Sequence, residues 1–105
     1  MLSMDTILEI KLECELIMFS YMYEEPTFER LQAVRGDIQD IVAGYFACKS
    51  IEQWHVDCNR DNNTQKEIDS GRIRVRVYIW LDKNKLPYQF EVVMPFQFKG
   101  WFNNA

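Results

Sequence analysis

The residues best equipped for chemistry lie in one short stretch: His55, Asp57, Cys58, Asn59 and Asp61. A thiol nucleophile and its histidine base must come within hydrogen-bond reach of each other. On an extended chain the three-residue step from His55 to Cys58 sends the two side chains to opposite faces. The spacing therefore predicts a surface His55 and a small core residue at Cys58. The same stretch offers nitrogen, oxygen and sulfur donors, yet no CxxC pair or HxxxH spacing organises them around zinc. "DCNRDNNTQKEID" is rich in oxygen ligands but lacks the EF-hand spacing, with its central glycine and closing glutamate. The four glycines are isolated, so no glycine-rich phosphate loop opens a helix. Nothing selects a carboxylate pair for glycoside chemistry. The expectation is a protein that is not an enzyme, with no catalytic, cofactor-binding or metal-binding residues.

A second cluster, Arg72, Arg74 and Arg76, recurs at every other position and should share one strand face. Arginines so placed can hold phosphate, but the chain carries a formal charge of −4 and a pI near 4.9. Nucleic-acid binding needs a larger basic surface, so a solvated or subunit-pairing face is expected and no nucleic acid.

These clusters depend on the elements that hold them. In 72–82, Ile73, Val75, Val77, Ile79 and Leu81 point one way while the arginines, Tyr78 and Trp80 point the other, a half-buried strand. "DKNK" makes a turn, and 88–98 gives a further strand or exchange arm whose Pro95 marks an edge or a break. Upstream, 51–58 reads as a strand with Trp54, Val56 and Cys58 on one face. Between them 59–70 is polar. Asn and Asp bond their own backbone there, Thr64 with Glu67 fits a capped helical turn, Ile68 anchors the loop, and Gly71 lets the chain turn into the next strand.

Two helices precede the strands. Over 27–44, Phe28, Leu31, Val34, Ile38, Ile41, Val42 and Tyr45 recur at threes and fours, with Thr27 as cap and Gly44 as terminator. Gly36 inside this helix is read as incidental, as a lone helical glycine usually is, with the close approach of another backbone as the alternative. The segment 5–23 carries two patterns. Leu8, Ile10, Leu12, Cys14 and Leu16 alternate as in a strand, whereas Leu8, Leu12, Leu16, Phe19 and Tyr23 form a helical stripe. Helix formers dominate and Thr6 with Glu9 fits a capping box, so a helix is expected.

At 105 residues, 48% of them hydrophobic, the chain is one domain with a real core. Its order of elements predicts an α+β fold with two helices packed on one face of a small antiparallel sheet. Seven Phe, five Tyr and three Trp exceed what such a core needs, which favours protein contacts. Three cysteines cannot all pair within one chain. No signal peptide is visible and no apolar run approaches the ~20 residues of a membrane span. A reduced intracellular protein, with no membrane partner, is expected.

The stretch "WHVDCNRDNNTQKEIDSGRIRVRVYIWL" resembles the C-terminal, handshake-type domain of contractile phage tail sheath proteins. That family carries a pattern close to V-x-C-D-x-x-N-N-T-x-x-x-I-D-x-G-x-L-x-V-x-V. Val56, Cys58, Asn62, Asn63, Thr64, Ile68, Asp69, Gly71, Ile73, Val75 and Val77 fall on it without a gap. "YEEPT" at Tyr23 to Thr27 is similar to the family's F-E-P-N-T junction. Asn59 departs from the family's usual Asp, and sheath proteins are much longer, with large domains ahead of this one. The resemblance implies a virion structural protein of a phage tail, assembled in the host cytoplasm. It further implies rings or tubes of copies around the tail tube protein, in which arms from neighbours add strands to each sheet. Arg72, Arg74 and Arg76 on the ladder, with Tyr88, Phe90, Val92, Met94, Phe96, Phe98 and Trp101 on the arm or edge, are the expected subunit contacts. Asn62, Asn63, Thr64, Ile68, Asp69 and Gly71 are expected to hold the loop. The alternatives are a baseplate sheath-initiator protein, partnered with a longer sheath or baseplate protein, or a small ligand-binding α+β domain around His55 and Asp57.

Overall fold

A computed structural model describes residues 4–25 and 27–95. The elements are α1 (Met4–Ser20), α2 (Phe28–Ala47), β1 (Gln53–Asp57), α3 (Gln65–Asp69), β2 (Arg72–Trp80) and β3 (Tyr88–Pro95). The strands form one antiparallel sheet in the order β1-β2-β3. Helices α1 and α2 cover one face of it, α1 over β3 and α2 over β1. The expected α+β class is thus the observed one.

The sheet takes its register from β2. Ile73, Val75, Val77 and Ile79 are fully buried toward the helices. Opposite them stand Met94, Val92, Phe90 and Tyr88 of β3. A shift of one residue would turn the four β2 side chains and Val92 away from the helices, so the pattern fixes the pairing. The β2–β3 connection is closed by the backbone N–H groups of Lys85 and Asn84, which donate to the carbonyl and carboxylate of Asp82 at 3.0 and 2.9 Å. Pro95 ends the edge strand, where a missing N–H is tolerated.

Helix α2 begins at Thr27, whose hydroxyl accepts from the Arg30 N–H at 3.1 Å. Its buried stripe is Leu31, Val34, Ile38 and Val42. One expectation about its glycines is corrected. The helix runs past Gly44 to Ala47, because Lys49 turns the chain instead, at φ 61°. The N–H groups of Ser50 and Lys49 donate to the carbonyls of Tyr45 and Phe46 at 2.9 and 3.0 Å, a Schellman closure with lysine in the usual glycine place. Gly36 is incidental, as expected, since an added Cβ there would meet nothing within 4 Å. Gly36→Ala is therefore expected to stabilise the fold by about 1 kcal/mol, because alanine loses less freedom in a helix. Thermal unfolding would register this as a rise of about 4–8 °C in Tm.

Helix α1 departs further from its pattern. Thr6 lies inside the helix rather than capping it, since α1 already includes Met4. The inner face is Ile7, Ile10, Cys14 and Met18. The stripe of Leu8, Leu12, Leu16, Phe19 and Tyr23 points outward and is exposed. α1 is apolar on two sides, which explains why the segment also reads as an alternating strand.

Candidate functional site

Three features of the sheet gather the residues singled out by the sequence: the polar loop, the open face and the outer border. The loop closes around Asn59. Its side-chain oxygen accepts from the N–H groups of Asp61 and Asn62, and Asn62 Oδ1 accepts from the Asn59 N–H at 2.9 Å. Asn62 Nδ2 donates to the Asp57 carbonyl at 2.9 Å, tying the loop to the end of β1.

Asn63 is the one fully buried polar residue among those described. Its amide oxygen accepts from the Arg74 N–H at 2.6 Å and its Nδ2 donates to the Arg74 carbonyl at 2.8 Å. Pairing of β1 with β2 stops at Asp57 opposite Arg76. Two residues on, the backbone of β2 meets the Asn63 side chain in place of a strand. A primary amide has the same donor and acceptor as a peptide group, so Asn63 continues the ladder where β1 ends.

The next residues close the loop. Thr64 and Glu67 form the expected reciprocal capping box on α3, and Gln65 Nε2 donates to the Asp69 carboxylate at 2.8 Å. Ile68 is buried beneath α3, and Gly71 takes φ 84°, the left-handed backbone that glycine adopts without strain.

The open face carries the arginines. Arg74 reaches Glu67 at 2.7 Å, and Arg76 reaches Glu91, its cross-strand neighbour, at 3.1 Å. Both of these guanidinium groups therefore face a carboxylate. His55 lies on this face beside Tyr78, with its Nε2 2.7 Å from an Asp57 oxygen. Cys58 lies on the other side, buried, its thiol donating to the Leu31 carbonyl at 3.7 Å. The two groups are thus held apart by the sheet, and the expected division is what the geometry has. A hollow of about 490 Å³ is lined by Phe46, Ala47, Lys49, Ile51, Glu52 and Lys83. Neither His55 nor Asp57 lines it. Among the described residues no group of three acidic, histidine or cysteine side chains is placed to hold a metal ion. No described helix is long and apolar enough to cross a membrane.

The proposed contact residues of β3 separate by face. Val92 is buried in the chain's own core and Phe90 packs partly against it, while Tyr88 is exposed. Val93, on the open face with Glu91, is exposed as well. Met94 pairs through its backbone with Ile73. Residues 88–95 are thus a strand of their own sheet, and any contact by Val92 must be made with its backbone. Phe96, Phe98 and Trp101 lie outside the described residues. Among the described residues nothing pairs with the outer border of β3.

Two polar ties escaped the sequence reading. The Tyr21 hydroxyl donates to the Asp37 carboxylate and the Tyr45 hydroxyl to that of Glu13, each clipping α1 or its C-terminal turn to α2. Partners 16 and 32 residues apart leave no local signal. The hydrogen bond to Asp37 pushes Tyr21 up to about 12, and the one to Glu13 raises Tyr45 as well. Burial pushes the thiols of Cys14 and Cys58 from 9.0 up to about 12.

All four groups keep their protons longer in the folded chain than in the unfolded one. Their contribution is therefore complete below about pH 9 and is lost as pH rises from about 9 to 12. Denaturation midpoints are expected to fall across that window, and thiol labelling at pH 8 should reach the exposed Cys48 while Cys14 and Cys58 wait for unfolding.

Comparison with protein-family models, with curated proteins and with solved structures yields no match.

Proposed function

We propose that the chain is a structural subunit of a contractile phage tail, sheath-like, which assembles around the tail tube by exchange of strands between neighbouring copies. The observation that carries this reading is the outer border of β3. Among the described residues the eight of Tyr88–Pro95 pair on one side only, with β2. A strand edge of that length is a template for another backbone. Natural sheets usually blunt such edges with lysines, bulges or a very short strand. The opposite border is short, since β1 has five residues. β3 carries no lysine.

An added strand would gain main-chain hydrogen bonds, each worth about 0.5–1.5 kcal/mol net, and several together hold a subunit. The segment that follows, "FQFKGWFNNA", supplies the aromatic side chains for pockets beside such a strand. In this reading the loop and β2 are scaffold: Asn63, Thr64, Ile68 and Gly71 fix the ladder against which β3 is laid. The partners are further copies, the tail tube protein and a longer sheath or baseplate protein, in a virion tail.

The test is the mass of the purified chain across concentration, with negative-stain images of the heaviest fraction. Rings or tubes are expected. Single chains at every concentration would overturn the reading.

A further inference from the structure

The outward stripe of α1 belongs neither to the core nor to the β3 border. Leu12 and Leu16 are 61% and 68% exposed, and Met4, Leu8, Phe19 and Tyr23 are each at least half exposed. They follow one another at steps of four, four, four, three and four, so they form one continuous ridge. Over Met4–Ser20 that ridge is about 24 Å long at 1.5 Å per residue. We infer that this face of α1 is a contact between two copies of the chain, helix against helix in antiparallel orientation.

Area favours a second copy. Six large side chains at roughly 100 Å² of exposed surface each offer on the order of 600 Å², at the top of what a monomer ordinarily leaves uncovered. Two such ridges face to face bury about 1,200 Å², where specific interfaces begin. The leucine ridge is also self-complementary, as a two-fold contact requires.

Charge sets the orientation. Lys11 and Glu15 flank the ridge on one side, Glu9 and Glu13 on the other. In an antiparallel pair each flank meets its own counterpart, so Lys11 of one copy approaches Glu15 of the other, twice by symmetry. On the opposite flank Glu13 accepts the Tyr45 hydroxyl with Glu9 alongside, which draws both acids toward α2 and away from the ridge. A parallel pair would set the Glu15 flank against those acids. An anionic lipid surface is disfavoured by the same acids and by the net charge of −4.

This contact does not rest on strand exchange, and sedimentation of the full chain on dilution separates the two. The smallest species is expected to be two copies. The double substitution L12E with L16E, at exposed positions that leave the circular dichroism spectrum unchanged, should weaken that pair at least ~100-fold. K11E alone should weaken it about three- to tenfold, and K11E with E15K should restore it to within about twofold. Deleting residues 96–105 should leave the pair intact while removing larger assemblies. A smallest species of one chain at ~1 mM would overturn the inference, as would indifference to L12E with L16E or failure of the charge swap to restore pairing. It would also fall if single chains began to pair only after residues 96–105 were removed, for then the chain's own end covers the ridge.

Discussion

Asn63→Ala is expected to lower the unfolding free energy by about 2–6 kcal/mol, the sum of two orphaned buried backbone groups at about 1–3 each. The Asn63 amide serves both the N–H and the carbonyl of Arg74. Asn62 Nδ2 reaches the same carbonyl only at 3.5 Å and cannot replace it. Water has poor access, because Asn63 is fully buried. Asn63→Asp should fare little better: it keeps an acceptor for the N–H but sets a carboxylate against the Arg74 carbonyl. Urea denaturation followed by circular dichroism measures both. A change below about 0.5 kcal/mol, the size of an ordinary surface substitution, would show that the amide does not carry the ladder. The wider consequence is register. With Arg74 unheld, the first half of β2 loses its partner on the β1 side, and β3 pairs with that same half of β2.

How much of this could be read from the sequence varies with the kind of signal. The alternation from Ile73 to Ile79 fixed β2, its buried face and its open face, because there the period of two is carried by β-branched residues, whereas the same period over 8–16 is carried by helix formers. The loop was also legible, since Thr64 with Glu67 and the glycine at 71 are local devices whose partners lie within a few residues. Asn63 was visible as part of a motif but not as a ladder group, because its partner Arg74 is eleven residues away. α1 was harder. Its leucines at steps of four made the more regular stripe, yet Ile10 and Cys14 face inward. Periodicity finds apolar faces but cannot rank two of them, and the choice falls to which one fits α2 and β3. The end of α2 misled for a related reason. Gly44 is a good terminator by type, but a helix stops where the capping hydrogen bonds close, and here Lys49 accepts the left-handed backbone. The absence of a shared surface for His55 and Cys58 followed directly from strand geometry and the observed placement agrees with it.

The second large effect concerns assembly. If β3 accepts a strand from a neighbour and residues 96–105 supply it, their removal subtracts the main-chain bonds and the aromatic anchors together. Even a few hydrogen bonds at about 1 kcal/mol each, with one buried aromatic side chain, amount to a change of several powers of ten in association. The fold itself should survive the deletion, because the core is made by residues from Ile7 to Val92. Circular dichroism and the thermal midpoint serve as controls. Light scattering of the full chain beside the chain lacking residues 96–105, at equal concentration, is the direct comparison. The proposed strand exchange predicts rings or tubes from the first and nothing larger than pairs from the second. Assemblies of the same size from both, or single chains from the undeleted one, would contradict it.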